Sequence, residues 1–177
     1  MLRKTTEFFI YSNIYVSVCV VALCQSTAIV LGISQCRILP FVFFSTLFAY
    51  NFQRLIRFNP NKMQASHLKW MTKHRNFIVS ITIISMLLSI YYAFNLSTTA
   101  LFFLIPASII SLLYPLKLFS VESEKISLRE LPYLKIFLIA VVWSIVSVCL
   151  VIEEHTMLFS LDVLLLFLSR FCFVIAI

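Results

Sequence analysis

Long apolar runs separated by short polar stretches dominate this chain, and they come as blocks rather than as the one-sided stripe of a surface helix. Six blocks approach the roughly 20 apolar residues that cross a bilayer as a helix. They are Phe8–Val30, Ile38–Ile56, Phe77–Phe94, Thr98–Leu113, Tyr133–Ile152 and Met157–Ile177. The blocks lack the in-and-out alternation of barrel strands, and in lipid only helices and closed barrels satisfy their own backbone groups. The pattern predicts an all-α, polytopic transmembrane bundle of about six spanning helices, a single domain over 1–177 surrounded by membrane lipids. Pro40 falls near the start of the second block, where proline costs least, and Pro106 falls inside the fourth, which it is expected to bend.

Composition agrees with that pattern. Hydrophobic residues make up 62% of the chain and charged residues 12%, against about half and about a quarter in soluble domains; the mean hydropathy is +1.02. Charge then orients the bundle. Arg3, Lys4, Lys117, Lys125, Arg129, Lys135 and the six cations between Tyr50 and Arg75 fall on one face. The other face receives Arg37 with Glu153, Glu154 and Asp162. Because Lys and Arg stay inside, the N-terminus and both long basic loops are predicted to be cytoplasmic. The net charge of +7 requires no nucleic acid; anionic lipid head groups or a phosphorylated substrate suffice. The first run exceeds the 7–15 residues or so of a signal-peptide core and lacks a small-residue cleavage site, so it reads as a retained helix.

Several chemistries are excluded by residue type. Gly32 is the only glycine, so there is no glycine-rich phosphate loop, dinucleotide fingerprint or G-x-x-x-G seam. The five cysteines form no C-x-x-C pair and read as small apolar filler. His67 and His74 are seven apart, not at the spacing of a helical metal pair.

The polar residues that remain cluster at helix ends. Asn51, Leu55 and Asn59 recur every fourth position and share a face at the end of the second block, with Arg54 and Arg57 close by. Amide oxygens and guanidinium forks at a membrane surface suit a phosphate, although arginines at a helix end also serve as interfacial anchors. Arg129 and Lys135 bracket a Pro-containing entry to the fifth block, where backbone donors can face an anion. Arg170 stands apart, about 13 residues into the last block, where a cation needs a partner or a wet cavity.

Taken together, Tyr50–Asn51 with the following arginines, Leu113-Tyr114-Pro115-Leu116-Lys117, and Leu128 to Lys135 leading into Trp143 resemble the UbiA superfamily of membrane prenyltransferases, with compatible helix spacing over nearly all of 1–177. The resemblance implies the first two-thirds of a nine-helix fold. It implies transfer of a prenyl group from a prenyl diphosphate to an aromatic or other lipid-soluble acceptor, with Mg²⁺ held by two Asp-rich motifs. It also implies diphosphate contacts from Asn51, Arg54, Arg57, Asn59, Arg129 and Lys135. The first motif's acids fall on Phe52, Leu55 and Asn59, so only Asn51 and Asn59 remain as weak metal ligands. The second motif would follow the sixth helix, where the chain stops at Ile177, so the chain is expected to be truncated and inactive by itself. Two alternatives stand beside this reading. One is a non-catalytic membrane protein that keeps the fold to bind lipid or a partner helix; the other is a small anion transporter using Arg170.

Overall fold

The computed structural model describes residues 2–33, 37–56, 70, 72–116, 119–121, 124–126, 132–155 and 160–176. The described chain is helical apart from one small hairpin. Helices α1 (Leu2–Tyr11), α2 (Ile14–Val30), α3 (Leu39–Ile56), α4 (Arg75–Ala93) and α5 (Thr98–Leu113) precede it. Strands β1 (Phe119–Val121) and β2 (Glu124–Ile126) then pair antiparallel, with Ser120 opposite Lys125. A continuous rod follows, made of α6 (Pro132–Ser144), a π-helical segment (Ile145–Cys149) and α7 (Leu150–Glu154), and α8 (Leu161–Ala176) closes the described chain. Two stretches, Arg75–Ala93 and Leu134–Glu153, are long and apolar enough to cross a membrane; Ile14–Val30 and Thr98–Leu113 are shorter apolar helices.

Helix boundaries follow local chemistry. Gly32 ends α2 with φ +71°, a backbone conformation that favours glycine. Its N–H donates to the Ile29 carbonyl, and the Ile33 N–H reaches back to the Ala28 carbonyl at 2.8 Å. This is the Schellman closure, with Ile33 packed onto the core as its apolar latch. The single glycine thus sits where the fold needs it. Ser97 caps α5 by accepting the Ala100 N–H, and Ser160 caps α8 by accepting the Val163 N–H. Pro40 lies in the first turn of α3, and α5 runs unbroken through Pro106.

Two expectations are corrected. The first apolar block is not one rod from Phe8, because the helix breaks at Ser12–Asn13. Asn13 adopts φ 62°, ψ 10°, the left-handed region that asparagine tolerates better than other non-glycine residues. The last block likewise starts its helix later than Met157, at Leu161, and Met157 itself lies outside the described residues.

The main core gathers α2, α5 and α7 with the start of α3. Val20, Cys24, Ala28, Ile38, Val42, Ala100, Leu104, Leu150 and Val151 are all buried there. Small side chains on α2 let the π segment approach closely enough for the Cys24 thiol to reach the Val146 carbonyl at 3.6 Å. A second cluster joins Val148 and Ile152 to Val163 of α8, with Leu31, Leu166 and Phe167 around it. Helix α4 packs along α3, where Phe44 stacks on Tyr92 with a centroid distance of 5.8 Å.

The burial pattern sets an expectation for stability. Leu150→Ala empties a fully buried position and should cost about 2–5 kcal/mol from lost contacts and the residual cavity. Leu161→Ala, at a position 70% exposed, should stay within about 0.5 kcal/mol. Denaturant titration of both variants in detergent, followed by circular dichroism, checks the contrast.

Candidate functional site

Asn51 points into the bundle. It is fully buried on α3, and its Nδ2 donates both to the Leu47 carbonyl one turn earlier and to the Ser12 carbonyl, each at 3.0 Å. Its Oδ1 accepts from Asn13 Nδ2 at 2.9 Å. Arg54, one turn further along α3, sends Nη2 to Asn13 Oδ1 at 2.9 Å and Nη1 to the Tyr11 carbonyl. The helix break between α1 and α2 leaves carbonyls without intrahelical partners, and α3 supplies donors to them. In low dielectric an unpaired polar group costs about 1–3 kcal/mol. Asn51 and Arg54 therefore bind the α1–α2 break, and both polar atoms of the Asn51 amide are engaged.

Of the other residues expected to meet a diphosphate, Lys135 lies half-buried in the first turn of α6, while Arg57, Asn59 and Arg129 lie outside the described residues. At the first-motif positions Asn51 is engaged and Phe52 and Leu55 are apolar, so the described residues there do not suit a Mg²⁺ ion. No group of three His, Cys, Asp or Glu side chains lies together among the described residues.

What the bundle does build is a cleft. It has a volume of about 270 Å³ and lies between α3, α4, α5 and the α6–π rod. Ser45, Ala49, Ser89, Ala93, Ala107, Ser108 and Ser111 keep it open because their side chains are small, and Phe41, Phe48, Ile90, Leu104, Val142 and Val146 make it greasy. The lining also carries a polar pair, in which Trp143 Nε1 donates to the Tyr50 hydroxyl at 3.1 Å. Beside it, Gln53 Nε2 donates to the carbonyl of the lining residue Ser111 at 3.0 Å. Tyr114 follows α5, with only 6% of its surface exposed. Burial, reinforced by the neighbouring Tyr50, pushes its phenol up to about 12 from an ordinary 10.

Chemically, such a cleft shelters an apolar chain along its walls and offers hydroxyl and indole groups to a polar head. Tyr50, Tyr114 and Trp143 stand within the three stretches that carry the family resemblance. The cleft itself rests on scattered Ala and Ser positions with no motif of their own.

Two measurements follow. Asn51→Ala should lower stability by about 2–4 kcal/mol, since the Ser12 carbonyl and Asn13 amide lose their partner. An unchanged denaturation midpoint would mark the amide as ligand-facing instead. For Tyr114, the neutral phenol is favoured in the folded state, so its contribution is fully present below pH 10 and is lost as pH rises through about 12. Ultraviolet phenolate titration should show a late-ionising tyrosine that disappears in Tyr114→Phe, and that variant should lose stability less steeply across the same window.

No family model matches this chain, no curated protein matches it, and no solved structure matches it.

Proposed function

We propose that this chain is a membrane-embedded, multi-pass bundle of the UbiA prenyltransferase type, whose cleft takes up the isoprenoid chain of a prenyl diphosphate. The observation that carries the reading is the cleft: apolar walls, a polar Tyr50–Trp143 pair, and a position among helices derived from separate apolar blocks. Its volume of about 270 Å³ lies just below the roughly 300–1,000 Å³ typical of ligand pockets, the size for one slender apolar chain. Support for the membrane setting comes from large apolar side chains on the outer faces, among them Phe94, Phe102, Leu161 and Ile29, each more than 60% exposed. Lipid covers such surfaces at no cost, whereas water does not. The cationic flanks orient the bundle with its long basic loops in the cytoplasm, where Lys135 and the cations around residues 57 and 129 meet the anionic diphosphate.

The chain by itself binds rather than transfers in this reading, since the first-motif positions provide amide and apolar side chains in place of carboxylates. That same observation favours a second reading, a non-catalytic protein that holds a lipid. The two differ in what they select: the first prefers a prenyl diphosphate over the prenyl alcohol, the second does not discriminate.

A photoreactive prenyl diphosphate should label the native chain within the α3–α5–α6 cleft. Ala107→Phe, which fills that cleft, should reduce labelling about tenfold or more, the scale on which one lost side-chain site acts. Equal labelling by the prenyl alcohol moves the protein to the second reading, and labelling unaffected by Ala107→Phe rejects both. With radiolabelled prenyl diphosphate, Mg²⁺ and membrane acceptors, the 177-residue chain should give no transfer; turnover would overturn the binding-only assignment.

A further inference from the structure

The cleft between α3, α4, α5 and the α6–π rod has a lining without charge. No Asp, Glu, Lys, Arg or His stands among the described residues that surround it. A phosphate or carboxylate drawn inside would meet no counter-charge there, and neither would an ammonium, so burying either is costly. What sits against this lining is uncharged.

The lining hydroxyls differ in what they can offer such a group. Ser45 Oγ donates to the Val42 carbonyl at 3.3 Å and Ser89 Oγ to the Met86 carbonyl at 2.8 Å, each on its own helix. Serine and threonine hydroxyls in helices take such local partners readily. Thr46, Ser108 and Ser111 line the same space and have the same recourse. A tyrosine does not. The Tyr50 hydroxyl stands at the far end of an aromatic ring, out of reach of its own helix carbonyls, and its oxygen accepts the Trp143 Nε1–H at 3.1 Å. Both rings line the cleft. The phenol hydrogen itself has no acceptor among the described residues. A hydroxyl whose oxygen already accepts a hydrogen bond is the stronger donor, because each bond in a chain polarises the next.

We propose that Tyr50 is a specificity-determining residue of the cleft, whose O–H donates to an uncharged acceptor oxygen at the end of an apolar chain. The inference rests on the reading of the cleft as a lipid site. It adds that an oxygen-bearing chain is taken in preference to the bare hydrocarbon. With a prenyl diphosphate, that oxygen is the ester oxygen next to the chain, and the charged phosphoryl oxygens stay outside the lining. With a neutral lipid, it is an ether, carbonyl or hydroxyl oxygen.

The test uses the full 177-residue chain in detergent micelles, labelled by the photoreactive prenyl diphosphate. Labelling is displaced by a prenyl methyl ether and by the hydrocarbon of the same skeleton, each corrected for partition into empty micelles. The ether accepts a hydrogen bond and donates none, so it reads a donor in the lining. The native chain should favour the ether about tenfold, the effect of one buried donor met or unmet. Tyr50→Phe alone would free the Trp143 N–H to stand in for the lost donor, so the substitution is read in a Trp143→Phe background. Trp143→Phe should keep most of the preference, since Tyr50 retains its O–H. Adding Tyr50→Phe should bring the two ligands to equal affinity, with the hydrocarbon bound as before. Equal displacement by ether and hydrocarbon in the native chain overturns the proposal, even where the double variant fails to fold. A preference that survives in the double variant, or vanishes with Trp143→Phe alone, overturns the assignment to Tyr50 and leaves the cleft reading in place. Ala107→Phe should weaken both ligands alike. Displacement indifferent to Ala107→Phe overturns the cleft as the lipid site and the role of Tyr50 with it.

Discussion

The bundle depends on one hydrogen-bonded knot, in which Asn51 and Arg54 of α3 hold the carbonyls and the side chain of the Ser12–Asn13 break. Ser12 and Asn13 are buried, and a buried backbone group needs a partner, so the break between α1 and α2 is held by donors from a helix about 40 residues away in sequence. Asn13 contributes twice, through a backbone that accepts the left-handed conformation and through a side chain that bridges Asn51 and Arg54. Replacing it by glycine would keep the first contribution and lose the second.

Helix α3 itself packs chiefly against α4 and α2. Its packing against α4 is aromatic and tight, with Phe44 on Tyr92, while its side toward α5 and α6 carries Ser45, Ala49 and Tyr50. Small residues on opposing helices normally draw helices together. Here they meet bulky neighbours such as Phe41, Phe48 and Trp143, which hold the helices apart and leave a cavity. The Trp143–Tyr50 hydrogen bond places one paired polar group on an otherwise largely apolar lining.

Much of this organisation was legible in the apolar blocks. Each block contains a helix, because a long apolar run without alternation buries a polar backbone only by coiling it. Ser97 and Ser160 as caps and Gly32 as a terminator follow equally local rules. Arg170 was legible as a charge in need of a partner from its place in the last run, although its Ser26 partner was not. At a helix end the Asn51 amide and the Arg54 guanidinium suit a phosphate or an interfacial anchor. Their actual partners sit across the bundle, and spacing along α3 carries no information about them. The break at Ser12–Asn13 was hidden for a related reason: one Ser-Asn pair inside an apolar run is tolerable in a helix unless another element bonds to it.

Sequence alone therefore determined which apolar blocks are helical, the approximate limits of most of them and the sign of charge at their flanks, because hydropathy, capping and charge act within a few residues of the chain. Tertiary structure alone decided which polar side chains serve the fold and which line an open space. That choice depends on hydrogen-bond partners and on the fit of small against large side chains from distant segments. Both are properties of how the helices pack, and no single stretch of the chain contains them.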